Sequence, residues 1–301
     1  MLEYVYQATG LLLLAFSLQT FLDKNNSKRI GTGLFWLIYG VTFLFGALIP
    51  NWVTGILVLM LTALAAGGFM GTGSYGTTTD EERKATASVL KNKLFIPAIV
   101  VPVGTVLISQ FTSLGALVGL GISSIASIIV ALAITKSRAS NALQEGRRLI
   151  DSIGWAAILS QFLAALGYLF SQAGVGDTVA EIVKLMIPDN MLLVKVIAYC
   201  AGMTLFTIVM GNAFAAFAVI TTGIGIPLLI VENGGNAAII GVLGMLSGYC
   251  GTLLTPMAAN FNVVPAALLE LKNKHHVILM QVIPGLSILI FNIGVMYTFA
   301  F

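Results

Sequence analysis

Charge is what this sequence has least of. Of its 301 residues only 9% are Asp, Glu, Lys or Arg, against about 25% in a soluble domain, while 58% are hydrophobic. That balance excludes a soluble enzyme and a disordered chain, and a net charge of +3 leaves no basic footprint for nucleic acid. Cysteine is nearly absent as well. Cys200 and Cys250 both lie inside apolar runs, which argues against a disulfide framework and makes them small buried hydrophobes. Also missing is any Asp, Glu, Lys, Arg or His in the interior of an apolar run. A carboxylate proton relay, a charged selectivity ring or a voltage sensor needs such a group at membrane depth. An intramembrane metalloprotease needs His and acidic ligands. A membrane enzyme therefore lacks its acid–base residues. Any site must use amides, hydroxyls, backbone groups and helix ends, or borrow charge from a partner.

What is present is a series of apolar runs. They extend over Tyr4–Leu22, Ile30–Ile49, Trp52–Met70, Phe95–Phe111, Leu114–Thr135, Ser152–Ala173, Leu192–Val231, Ala237–Leu271 and Val277–Phe301. About 20 residues cross the hydrocarbon of a bilayer, so the first six runs and the last predict one crossing each. Of the 15 basic residues, 13 fall in four loops: after the first, third and fifth runs and before the last. Strict alternation puts all four on one side, which is then cytoplasmic, with the N-terminus outside. Lys184 and Lys195 fall on the other side. Glu3 and the lack of a small-residue cleavage site before Asp23 predict that the first run is retained as a helix. Two segments outside the runs look interfacial: Lys136–Asp151 is polar and basic with Ala142, Leu143, Leu149 and Ile150 as its apolar residues, and Gly174–Pro188 has roughly helical apolar spacing; each is read as an interfacial helix or an ordinary connector.

The two long runs carry the polar residues that matter. Leu192–Val231 has Gly211-Asn212 at its middle, with Thr204 and Thr207 before and Thr221, Thr222 and Pro227 after. It is either a re-entrant hairpin with its tip at Gly211, Asn212 and Ala213, or two full crossings joined by a tight turn. Composition leans to two crossings. The lack of any charge near Gly211 argues the other way, because a cytoplasmic turn attracts Lys or Arg. Ala237–Leu271 would be ~52 Å long as one helix at ~1.5 Å per residue. Near its middle stand Gly251, Thr252, Thr255, Pro256, Asn260 and Asn262. Pro256 removes a backbone donor and Gly251 lowers helix propensity, so the segment predicts a helix unwound at depth. A proline kink that merely packs is the alternative. Two such interruptions close in sequence point to a transport site. Half-helix N-termini suit a carboxylate without any buried Arg.

Other signals carry less. Gly71-Thr72-Gly73-Ser74-Tyr75-Gly76 has dinucleotide-loop spacing but follows a membrane run rather than a strand, and is read as a flexible loop. Gly115 with Gly119 and Gly244 with Gly248 have the spacing of helix-packing pairs. His275 and His276 offer too few ligands for a metal and read as interfacial.

At Gly211-Asn212-Ala213 and Thr255-Pro256-Met257-Ala258-Ala259-Asn260 the chain resembles the ion-transporter superfamily of divalent-anion/sodium symporters, citrate permeases and arsenite permeases. Those proteins carry Ser-Asn-Thr at a hairpin tip and Thr-Pro-Pro-Asn at an unwound helix. The likeness covers roughly residues 153–301. The Gly-Asn-Ala-Phe and Leu-Thr-Pro-Met-Ala-Ala-Asn-Phe-Asn stretches further resemble a bacterial membrane family described as one subunit of a two-subunit 5-oxoproline transporter. The resemblance implies an all-α polytopic membrane protein of the bacterial cytoplasmic membrane. It would be half of an elevator-type transporter, with scaffold helices, one re-entrant hairpin and one unwound helix. Residues 1–135 would be scaffold, 136–151 a cytoplasmic linker and 152–301 the transport part. The substrate would be a small carboxylate, foremost 5-oxoproline, bound by Gly211, Asn212, Ala213, Thr252, Thr255, Pro256 and Asn260. No cofactor is expected, and Na⁺ is a candidate coupling ion, although Gly211 and Ala213 replace hydroxyl residues. One convincing hairpin and one broken helix are half a set, so a smaller membrane subunit, or a second copy of this chain, would supply the rest. The competing expectation is a membrane scaffold or assembly subunit with no substrate site.

Overall fold

Apolar runs free of charge can satisfy their backbone in lipid only as helix. The computed structural model describes residues 1–75, 79–186 and 191–301, and among these there is no strand. Six helical segments of the described residues are long and apolar enough to cross a membrane: Leu2–Leu22, Glu81–Phe111, Ala116–Thr135, Leu192–Met210, Ala213–Val231 and His276–Phe299. This is the architecture of a polytopic membrane protein. The chain divides into two compact units, Met1–Gly154 and Trp155–Phe301.

The first unit holds α1 (Leu2–Leu22), α2 (Arg29–Phe45), α3 (Asn51–Ala66), α4 (Asp80–Leu90), α5 (Ile96–Phe111), α6 (Ala116–Thr135) and α7 (Ala139–Ile153). Small residues set its closest contacts. Gly10 of α1 lies against the Gly40 carbonyl of α2, and the Ser17 hydroxyl donates to the Gly33 carbonyl at 2.7 Å. Below them Phe35 and Trp36 are fully buried. On α5 and α6, Gly119 backs onto the Thr105 carbonyl, whereas Gly115, the other member of the expected packing pair, starts α6 at φ +81° and faces open space. Helices α2 and α3, with 17 and 16 residues, are shorter than their apolar runs and end at Gly46 and Gly67. The α4 helix starts from a reciprocal cap between Thr79 and Glu82. The expected linker at 136–151 is α7, an amphipathic helix of this first unit whose buried face carries Arg147 and Asp151.

The second unit holds α8 (Ala156–Gln172), α9 (Val175–Met186), α10 (Leu192–Met210), α11 (Ala213–Ile220), a π-helical segment (Thr221–Val231), α12 (Ala237–Leu253), α13 (Val263–Leu268) and α14 (His276–Phe299). Of the expected segment Gly174–Pro188, α9 forms the greater part; 187 and 188 lie outside the described residues. The core is centred on α10, where Tyr199, Cys200 and Met203 pack against Ala216, Ile224 and Ile240. Gly244 and Gly248 let α12 approach the Tyr199 ring and the Met203 side chain. Lys195, near the start of the run Leu192–Val231, is buried in the first turns of α10. Its Nζ donates to Glu232 Oε1 at 2.5 Å, tying the start of α10 to the residue just past the π segment.

Candidate functional site

The site is built where both long runs lose their helix. At Gly211 the backbone enters the left-handed region, with φ +67°, which ends α10. Asn212 then starts α11: its Oδ1 accepts from the Phe214 N–H at 2.9 Å and the Ala215 N–H at 3.5 Å. Among the described residues its Nδ2 has no protein partner. In the second run α12 ends at Leu253, and residues 254–262 are turns before the six-residue α13. The unwound stretch is held by its own side chains. Asn262 Nδ2 donates to the Thr252 carbonyl at 2.8 Å and the Thr255 carbonyl at 2.6 Å. These are carbonyls that the end of a helix leaves without an internal partner.

The two interruptions meet. A Cβ on Gly211 would stand 2.6 Å from the Met257 carbonyl carbon and oxygen, so the tip backs directly onto the main chain of the break. Thr255 Oγ1 donates to the Ile208 carbonyl in the last turn of α10 at 2.9 Å. Leu163 of α8 lies beneath the tip. Beside it runs an aromatic row, Phe214 to Tyr249 at 6.2 Å and Tyr249 to Phe261 at 6.3 Å between ring centres.

Of the residues expected to form the site, Gly211, Asn212, Ala213, Thr255 and Pro256 belong to the two interruptions that meet. Ala213 is buried, and the Thr255 hydroxyl is committed to structure. Thr252 is buried and donates back to the Tyr249 carbonyl of its own helix at 2.7 Å. Asn260 is exposed on the unwound stretch, whereas Asn262, two residues on, is fully buried and organises it. Thr207 Oγ1 and Asn262 Oδ1 are buried oxygens without a hydrogen-bond partner. The aromatic row and the structural weight of Asn262 had no signal in sequence spacing.

The chain matches, over residues 3–301, the family described as "Protein of unknown function (DUF979)". It belongs to that family. No curated protein and no solved structure matches this DUF979 chain.

A second polar cluster lies in the first unit of the DUF979 chain, at the end of α1. Arg147 Nη2 donates to Asp23 Oδ2 at 2.6 Å, and its Nε stands 3.7 Å from Asp151 Oδ2. Asp151 also accepts from Trp36 Nε1 and the Tyr75 hydroxyl, each at 2.7 Å. The Ser74 N–H donates to Asp23, and Gly71 is bonded through both N–H and carbonyl to Thr32. Residues 71–75, expected as a flexible loop, are therefore pinned by buried charge; Gly76 lies outside the described residues. Burial pushes the Asp23 carboxyl up, but the Arg147, Ser74 and Asn25 donors outweigh it and hold it below its ordinary value. For Asp151 burial prevails over the Tyr75 and Trp36 donors and leaves the carboxyl above its ordinary value.

Proposed function

We propose that this chain is one subunit of a secondary transporter that moves a small carboxylate, foremost 5-oxoproline, across the bacterial cytoplasmic membrane by an elevator motion. One observation carries the reading: the left-handed break at Gly211 and the unwound stretch 254–262 abut one another, within two apolar runs whose charges, Lys195 and Glu270, lie near their ends. Backbone released from helix at two adjoining places is costly in lipid unless it faces protein or a water-filled cavity. In transporters that is where substrate binds.

The chemistry fits a lactam acid. The Asn212 side-chain oxygen is used as a helix cap, so its amide nitrogen is the group left to donate to a carboxylate or lactam oxygen. The positive end of α11 acts on the same spot. The Phe214, Tyr249 and Phe261 rings offer an apolar wall for a small ring. The tip residues Gly211 and Ala213 bring no side-chain oxygen for a coupling cation. Na⁺ is a candidate coupling ion, and Thr207 Oγ1 and Asn262 Oδ1 are buried oxygens without a hydrogen-bond partner among the described residues. The companion subunit of the proposed complex would supply a second hairpin and broken helix; α5, with none of its residues buried within this chain, offers a surface for it.

The competing reading is a scaffold subunit with a solvent-exposed cytoplasmic turn at Asn212. Cysteine accessibility separates the two. Phe214, exposed at the tip, is replaced by Cys in a background lacking Cys200 and Cys250, and labelled from the cytoplasmic side with the companion subunit present. Labelling that 5-oxoproline slows supports transport; free labelling indifferent to it supports the scaffold and sinks the transport reading.

A further inference from the structure

We infer that the cleft where the start of α2 meets the end of α3 binds the phosphate headgroup of an anionic glycerophospholipid. The cleft encloses about 390 Å³, the size range of small-molecule sites. Its mouth is cationic, lined by Ser27, Lys28 and Arg29. Lys28 Nζ donates to the Gly68 carbonyl at 2.7 Å, which fixes the ammonium at the mouth without neutralising it. Among the described residues neither Lys28 nor Arg29 pairs with a carboxylate. The sequence gives the reason: no Asp or Glu occurs between Asp23 and Asp80. Asp23 itself is committed to Arg147 at 2.6 Å and to the Ser74 and Asn25 N–H groups.

These two charges stand where a helix tolerates them least. A helix N-terminus carries the positive end of the dipole and ordinarily takes an acid in its first turn. In α2 Lys28 is the cap and Arg29 the first residue, with no acid in that turn and no side-chain cap. Like charge is therefore concentrated at one point, and an anion relieves it. The planar Arg29 guanidinium suits the oxygens of a phosphate. The rest of the cleft is apolar: Leu34 of α2, Leu64 of α3 and Phe69, with Gly31 backed onto the Phe69 carbonyl to close the floor. Ile30 and Phe69, at its edge, are exposed. An apolar wall beneath a cationic mouth matches a lipid: phosphate at Lys28 and Arg29, acyl chains along Leu34 and Leu64. A free anion would use the mouth and leave the apolar wall idle. The cleft lies wholly within the first unit and stands apart from the transport reading.

The test uses the full-length chain reconstituted in nanodiscs of phosphatidylcholine doped with phosphatidylglycerol, then released and read for retained lipid by native mass spectrometry. Phosphatidylglycerol should be retained in preference to phosphatidylcholine. The K28Q/R29Q double variant should lower that preference roughly tenfold. Ser27→Trp, at an exposed turn position, fills the mouth and changes no charge. It should lower the preference as much, and it covers the case in which the double variant does not fold. Lys93→Gln, an exposed cation outside the cleft, should change nothing. Equal retention of the two lipids by the wild type, a preference that survives both cleft variants, or an equal loss in Lys93→Gln would overturn the site. Inorganic phosphate alone stabilising the detergent-solubilised protein as much as phosphatidylglycerol would assign the cleft to a free anion and overturn the lipid.

Discussion

Thr255 donates its hydroxyl to the Ile208 carbonyl at 2.9 Å, and this bond ties the break in one membrane segment to the last turn of another. The Ile208 carbonyl belongs to a helix end that Gly211 terminates, so it needs a partner from outside the helix. Thr255 is buried, and water does not replace it. Thr255→Val keeps the shape and removes the donor. It should destabilise the detergent-solubilised protein by about 1–3 kcal/mol, while Thr255→Ser stays close to wild type. A Thr255→Val protein that melts with the wild type would show that the two breaks are not held together by this bond.

Gly211→Ala should be more damaging than its size suggests. The φ of +67° costs a residue with a side chain about 1–2 kcal/mol. The added methyl would also meet the Met257 main chain at 2.6 Å, and main chain cannot swing away as a side chain can. The expected result is a thermal midpoint lowered by several degrees, together with loss of 5-oxoproline uptake in proteoliposomes. Wild-type uptake and melting in this variant would mean that the close approach of tip and break does not matter.

Asn212 has two separable jobs, and a pair of substitutions separates them. Asn212→Ala removes the cap and should cost about 0.5–2 kcal/mol. Asn212→Asp keeps an oxygen for the Phe214 and Ala215 N–H groups, so it should fold as well as wild type. It also removes the amide nitrogen and sets a negative charge where a carboxylate would dock. Carboxylate uptake should therefore vanish in Asn212→Asp while melting is unchanged. Uptake that survives in a well-folded Asn212→Asp protein would remove Asn212 from the substrate site.

Hydropathy carried the helical architecture, because lipid leaves the backbone so few options. The positions of both breaks were legible for the same reason: Gly211-Asn212 and Thr255-Pro256 each remove the means of continuing a helix. Which side chain held the break together was not. Asn260 and Asn262 are the same residue type two positions apart, and only the path of the unwound chain decides that Asn262 turns inward to the Thr252 and Thr255 carbonyls while Asn260 faces out. A helical or strand period would order such neighbours; a stretch with no period does not. The Asp23–Arg147–Asp151 cluster was hidden differently. Its members are up to 128 positions apart, and each sits just outside an apolar run, where a charge ordinarily reads as solvated.

That cluster makes a prediction about pH in which two carboxylates pull in opposite directions. Asp23 has a folded value below its ordinary 3.8, so its contribution to stability is present above that value and lost as pH falls through the folded one. Asp151 has a folded value above 3.8, so its protonated form favours the fold, and stability is lost as pH rises through the folded value. Replacing each by Asn removes one of these dependences. Asp23→Asn should melt close to wild type in acid and fall below it as pH rises to neutrality, by roughly 1.5–3 kcal/mol for the lost charged hydrogen bond to Arg147. Asp151→Asn should do the reverse and gain on wild type over the same range, since it no longer ionises in a site closed to water. The measurement is the difference in thermal midpoint between each variant and wild type across about pH 3 to 8, on both sides of the ordinary carboxylate range. Slopes of the same sign would show that Arg147 does not partition its charge between the two acids as the 2.6 Å and 3.7 Å separations require.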